Sequence, residues 1–168
     1  MKKRIIALGL LWCLSAVMLQ AARVDTVLVR SAAMNKDVKV VYVLPDKAIG
    51  KQACPVVYLL HGYGGNARSW VQLKPELPQM ADEKGIIFVC PDGKNSWYWD
   101  SPENPAYRYE TFVTSELVKY TDGNYATIPD SKARAISGLS MGGHGALWSA
   151  IRHKDVFGAA GSMSRSEE

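Results

Sequence analysis

The chain has 168 residues, enough for one domain with a sizeable core and at the low end for a complete α/β enzyme. Its 48% hydrophobic and 21% charged content is ordinary for a soluble globular protein. Of its 20 Lys and Arg, three fall in the first 22 residues, and none of its 16 Asp and Glu do, so the formal +4 leaves 17 against 16, a net +1, for the rest. No basic cluster remains there to form a nucleic-acid footprint.

The chain opens on Lys2, Lys3 and Arg4, continues with Ile5 to Leu19, apolar apart from Ser15, and then offers the small residues Gln20-Ala21-Ala22. That is the layout of a secretory signal peptide over residues 1–22, and it implies an exported protein, periplasmic or extracellular. A membrane anchor needs nearer 20 apolar residues, so no stable membrane insertion is expected once the leader is cleaved. Trp12 before Cys13 is too bulky for a lipoprotein cleavage site, and the apolar run continues past that cysteine.

Residues 23–168 read as one domain with no repeat or linker. Val24 to Ser31 and Asp37 to Leu44 alternate apolar and polar residues around the turn Met34-Asn35-Lys36-Asp37, as an antiparallel pair does. Pro55 to Leu60 and Gly85 to Cys90 are continuous apolar runs, the pattern of strands covered on both faces. A helix is predicted between them over about Lys74 to Lys84. A second helix is predicted from about Tyr109 to Tyr120, with Asp122-Gly123 as its terminator. A strand over Lys132 to Ser137, a helix over Gly143 to His153, and a further strand over Phe157 to Met163 complete the pattern. Antiparallel strands followed by strand–helix alternation indicate an α/β fold whose later strands are parallel. Cys54 and Cys90 lie at opposite ends of two such strands. Five or six residues of strand separate those ends by roughly 15–20 Å at about 3.3 Å per residue, so two buried free thiols are expected.

Gly138-Leu139-Ser140-Met141-Gly142 occupies the strand-to-helix turn. A serine with glycines two residues either side, at such a turn, is the nucleophile elbow of serine hydrolases. Side chains at the glycine positions would clash with neighbouring backbone, and the serine is held strained with its hydroxyl clear of the sheet. Upstream, a strand ends in His61-Gly62-Tyr63-Gly64-Gly65. Ester cleavage passes through an oxyanion that needs preorganised N–H donors. Elbow enzymes use the amide after the nucleophile, here Met141, and one from this loop, here Tyr63 with Gly64 as the close alternative. The loop lacks the Gly-Lys-Ser/Thr ending of a phosphate cradle.

Tyr58 to Gly65, Pro91-Asp92-Gly93 followed by Asn95-Ser96-Trp97-Tyr98, Thr114-Ser115-Glu116-Leu117, and Gly138 to Leu147 together resemble the esterase D family of α/β-hydrolases. That family includes S-formylglutathione hydrolases, secreted feruloyl and acetyl-xylan esterases, and mycolyltransferases. The resemblance spans Val24 to Ser164 in the family's motif order. It implies an α/β-hydrolase sheet, Ser140 as nucleophile, no metal and no organic cofactor. It also implies a catalytic acid and then a histidine after the serine. Only 28 residues follow Ser140; Asp155 follows too closely to be that acid, and no histidine follows His153. The domain is therefore expected to lack its last strands and helices, and the chain to be inactive alone and prone to aggregate.

The remaining histidines have other expected roles: His61 bracing the oxyanion loop, His144 packing on the elbow helix, and His153 compensating the helix dipole or lying exposed. No His/Cys spacing fits a metal site. Trp97 and Tyr98, beyond a strand's C-terminal edge, and Trp70, past the oxyanion loop, either line a pocket for an aryl or sugar group or cover the core. Glu116 is expected to be a structural hydrogen-bond partner. The function expected is an exported serine esterase acting on a small or carbohydrate-linked carboxylic ester. An acyltransferase, a binding domain and a non-catalytic remnant on the same scaffold are the alternatives.

Overall fold

A computed structural model describes residues 22–163; the expected leader, its Cys13 and the terminal Ser164 to Glu168 lie outside the described residues. The chain builds one six-stranded sheet from β1 (Arg23–Ser31), β2 (Lys36–Leu44), β3 (Val56–Leu60), β4 (Ile87–Pro91), β5 (Arg134–Leu139) and β6 (Ala159–Met163), in spatial order β1-β2-β4-β3-β5-β6. β1–β2 and β2–β4 are antiparallel; β3–β4, β3–β5 and β5–β6 are parallel.

Helices cover both faces, which is why the central strands read as unbroken apolar runs. On one face Tyr42, Val56, Tyr58, Leu60, Val89 and Ile136 pack with Phe112, Leu117, Met141 and Ala146. On the other, Val41, Val43, Leu59, Phe88 and Cys90 pack with Ala67, Trp70, Leu77 and Ala81. Alternate residues of one strand serve opposite cores, as the two-residue period requires.

The helices differ from expectation in explicable ways. The helix expected over Lys74 to Lys84 is α3 (Leu77–Lys84), which starts three residues later, and two short helices before it, α1 (Asp46–Ile49) and α2 (Ser69–Leu73), were not signalled by the sequence. Pro75 excludes Lys74 from the helical region, and Pro78 suits the first turn of α3, where its missing N–H costs nothing. Gly85, expected to open a strand, is the left-handed cap of α3 at φ 64°. The helix beginning at Tyr109 runs as α4 (Tyr109–Thr111), a π segment Phe112–Glu116, and α5 (Leu117–Asn124). It passes through Gly123, which is no terminator. The elbow helix α6 spans Met141–Arg152.

Cys54 and Cys90 are both buried and unbridged. Burial pushes both thiols up, so neither is a ready nucleophile.

Candidate active site

β3 and β5 are neighbours, but the chain reaches β4 on one side of β3 and β5 on the other. Their shared carboxyl edge is therefore a topological switch point, where open α/β sheets hold ligands. Leu60 pairs with Gly138, so His61-Gly62 and Leu139-Ser140 leave the sheet side by side. A Cβ on Gly62 would sit 3.3 Å from the Leu139 carbonyl oxygen and 3.7 Å from Ser140 Cβ. The glycine-rich loop and the elbow are in contact.

Ser140 has φ 53° and ψ −116°, a conformation that L side chains rarely adopt. Such strain costs on the order of 1–3 kcal/mol and survives only where the surroundings over-determine it. They do so here. The Ser140 N–H donates to the Met163 carbonyl at 2.8 Å, and its own carbonyl accepts from the His144 N–H at 3.0 Å. A Cβ on Gly138 would fall 2.2 Å from the Gly142 backbone, and one on Gly142 would fall 2.2 Å from the Leu60 carbonyl oxygen. Both glycines exist to let helix and strands meet. The Ser140 side chain is exposed and makes no hydrogen bond among the described residues.

The loop opposite is braced from below by His61, which is buried. The Gly93 N–H donates to His61 Nε2 at 2.9 Å, which leaves the ring proton on Nδ1, donating to the Gly62 carbonyl at 2.7 Å. Asp92 Oδ1 lies 3.7 Å from Nε2, and Lys94 Nζ pairs with Asp92 Oδ2 at 2.8 Å. Burial works to raise the Asp92 carboxyl, but the Lys94 ammonium and backbone N–H, both bonded to it, outweigh that and hold it well below the usual carboxylate range. Further along the loop, the Gly64 N–H donates to Asn95 Oδ1 at 2.8 Å and the Gly65 N–H to the Gly62 carbonyl at 3.0 Å. The Tyr63 N–H has no partner among the described residues. A shallow hollow of about 430 Å³ runs beside it, lined by Tyr63, Ser69, Gln72, Leu73 and Leu139.

The expected aromatic residues part company. Tyr98 is fully buried and its hydroxyl donates to the His61 carbonyl at 3.2 Å; Trp70 is buried in the second core. Neither lines an open pocket, and both took the core-covering alternative. Trp97 stays exposed, with its ring edge-on to His144 at 5.6 Å. His144 Nε2 accepts from Trp99 Nε1 at 2.8 Å, and its ring stacks on Trp148 at 6.1 Å. His153 is neither free nor a simple dipole partner: its Nε2 bonds Glu110 Oε1 at 2.8 Å. Glu116 accepts from Ser31 Oγ at 2.5 Å and from the Ala33 N–H at 2.8 Å. No group of three His, Cys, Asp or Glu among the described residues could hold a metal ion.

A family model for esterases matches residues 31–166. The chain belongs to the esterase family. An acetyl esterase of Caldicellulosiruptor saccharolyticus is 29% identical over 136 residues, covering 76% of this chain and 50% of that protein. The diacylglycerol acyltransferase/mycolyltransferase Ag85A of Mycobacterium gordonae is 34% identical over 151 residues, covering 84% and 42% respectively. Among solved structures, a ferulic acid esterase superposes with a TM-score of 0.73 at 30% identity, covering 84% of this chain and 59% of that one. An S-formylglutathione hydrolase from Agrobacterium tumefaciens gives 0.75 at 26% identity, covering 84% and 57%. The chain thus spans about half the length of the esterase-family relatives it matches, and its sheet is an α/β-hydrolase sheet.

Two features of the site are absent from the sequence reading. Asn95 occupies the Gly64 amide, a contact across 31 residues that local spacing does not encode. Glu110 gathers Trp148 Nε1, Arg152 Nε and His153 Nε2 at 2.8, 2.7 and 2.8 Å. The i, i+4 spacing of Trp148 and Arg152 hinted at a shared face, but nothing in the sequence named the carboxylate beneath it.

Proposed function

We propose that this chain carries the nucleophile and oxyanion hole of an exported serine esterase that cleaves a carboxylic ester through an acyl-enzyme. Ser140 Oγ attacks the ester carbonyl carbon, and its proton passes to a base. The carbonyl oxygen takes the negative charge, facing the N–H groups of Tyr63 and Met141. The C–O bond to the alcohol then breaks, the alcohol leaves with a proton, and water later releases the acid from Ser140. The observation that carries this reading is the strained Ser140 at φ 53° next to a glycine-rich loop whose Tyr63 amide has no partner among the described residues. The Gly64 amide already donates to Asn95 Oδ1, which favours Tyr63 over Gly64 as the loop donor.

The base is not supplied by residues 22–163. His61 is committed to Gly93 and Gly62, His144 to Trp99, and His153 to Glu110. The 168-residue chain alone is therefore inert or nearly so. Transfer of the acyl group to a sugar hydroxyl instead of water is the second reading, supported by the mycolyltransferase relative. Small or carbohydrate-linked esters are the substrate class. Export rests on the leader pattern of residues 1–22, and among the described residues no helix is long and apolar enough to cross a membrane.

Turnover of p-nitrophenyl acetate tests this. Background rates are expected from the 168-residue chain. A longer form with an acid and a histidine following residue 168 is expected to turn over, and Ser140→Ala to lower that rate at least a thousandfold. Turnover that survives Ser140→Ala would overturn the assignment of the nucleophile. Ser140-dependent turnover by the short chain would overturn the claim that it lacks a base.

A further inference from the structure

We infer that the leader is cut between Ala21 and Ala22, and that the α-ammonium freed on Ala22 pairs with Asp82 and fastens the start of β1 to α3. The inference rests on the export reading above and adds a processing site and a use for the new terminus. Ala22 lies one residue before Arg23, which pairs with Leu44 where β1 meets the end of β2. It is 6% exposed, and its methyl group belongs to the second core, that of Val43, Leu77 and Ala81. Its backbone nitrogen donates to Asp82 Oδ2 at 2.6 Å. The other oxygen, Oδ1, accepts from the Asp46 N–H at 2.8 Å. One carboxylate of α3 thus holds both the start of β1 and the first residue of α1.

Asp82 faces two amides and no cation. Among the described residues no Lys, Arg or His pairs with it, and Arg23, the basic residue next to Ala22, is engaged by Asp25 at 2.8 Å. Hydrolysis of the Ala21–Ala22 peptide bond by a signal peptidase consumes one water. It leaves a carboxylate on Ala21 and turns the Ala22 amide into an ammonium at the same place. The nitrogen already stands at hydrogen-bond distance from Oδ2, so no side chain has to move. A charged donor bonds a carboxylate roughly twice as strongly as a neutral one.

The same contacts select the bond. A cut after Ala21 or after Ala22 puts a small residue before the scissile bond, as signal peptidases require. A cut after Ala22, the boundary expected from the sequence, discards a buried methyl group and takes the bonded nitrogen from Asp82. A cut after Ala21 keeps both and adds the charge. Export itself then supplies the group that secures the first strand, which is an edge strand paired on one side only.

Export of the 168-residue chain in a bacterial host, with mass spectrometry of its N-terminal peptide, tests the cut. Ala22 is expected as the first residue. Arg23 or any other first residue would overturn the inference and leave the export reading standing, whereas a retained leader would overturn both. Acetylation of the processed chain with acetic anhydride at neutral pH tests the pairing. The α-amine is expected to react about tenfold more slowly in the native protein than in urea. Asp82→Asn, which keeps an acceptor for the Asp46 N–H, should lose most of that protection. A processed chain extended by one glycine ahead of Ala22 keeps every side chain but displaces the charge, and it should melt about 3 °C lower. An α-amine as reactive in the native protein as in urea, protection unchanged in Asp82→Asn, or equal melting of the extended chain would each overturn the pairing.

Discussion

Whether this chain folds around its elbow is decided by clearances of about an ångström. The Leu60 carbonyl oxygen lies where a Cβ on Gly142 would have to sit, 2.2 Å away, and the obstacle is backbone of the central strand. It cannot swing aside as a side chain can. Gly64 is a different case: nothing lies within 4 Å of its missing Cβ, but its φ is +77°. Substituting alanine at the two positions therefore separates steric from conformational cost. Gly142→Ala is expected to destabilise by about 3 kcal/mol or more, since α6 must lift from the sheet. Gly64→Ala is expected to cost about 1 kcal/mol for a left-handed alanine. Urea unfolding of both variants checks the order, and a Gly64→Ala more damaging than Gly142→Ala would contradict the clearance argument. The glycines of the elbow were legible in the sequence because their spacing is fixed by this local geometry. The role of Asn95 was not, because it depends on where two loops meet.

At the scale of elements, the strands were the most legible part of the fold. β3 and β4 are buried on both faces, so their composition alone marks them; β1 alternates because it is an edge with one side wet, whereas β2, expected to alternate, does so only at its start and is buried on both faces from Val40 to Leu44. Helix ends were less legible, because each depends on one backbone angle. Pro75 holds Lys74 out of the expected helix, which starts only at Leu77, and Gly85 closes α3 rather than starting β4. Gly123 was expected to end a helix, yet α5 continues to Asn124. That continuation has a measurable consequence. Gly123 has no positive φ, and nothing lies within 4 Å of its missing Cβ. Alanine there adds no clash and removes freedom from the unfolded chain. Gly123→Ala is expected to stabilise by about 0.5–1 kcal/mol, raising the thermal midpoint by roughly 3 °C. A lower midpoint would mean that Gly123 terminates the helix after all. The π segment before α5 coincides with Thr114, whose hydroxyl donates to the Glu110 carbonyl at 2.8 Å. A side chain there takes a backbone acceptor, as helix-widening residues do.

For the molecule as a whole, the sheet brings together residues that sequence distance separates, and two buried carboxylates tie the result to pH. Asp92 ties the end of β4 to Lys94 in the loop that follows it, and Glu110 joins α4 to the end of α6 through Trp148, Arg152 and His153. Burial acts to raise both carboxyls. Their hydrogen bonds and cationic partners overcome it and hold both below their ordinary values. A carboxyl lowered in the folded state stabilises the fold above its unfolded pKa, about 4, and that stabilisation is lost as pH falls through the folded value. The wild type is therefore expected to keep its stability from pH 7 to about 5 and to lose it progressively below about 4. Glu110→Gln removes one of the two contributions. It should be less stable than wild type at pH 7, because three donors lose an ionised acceptor, yet it should lose less on going to pH 3. Urea midpoints of both proteins at pH 7 and pH 3 decide the matter. If the two fall in parallel, Glu110 is not the ionised partner of Arg152 and His153, and the end of α6 is held by packing alone.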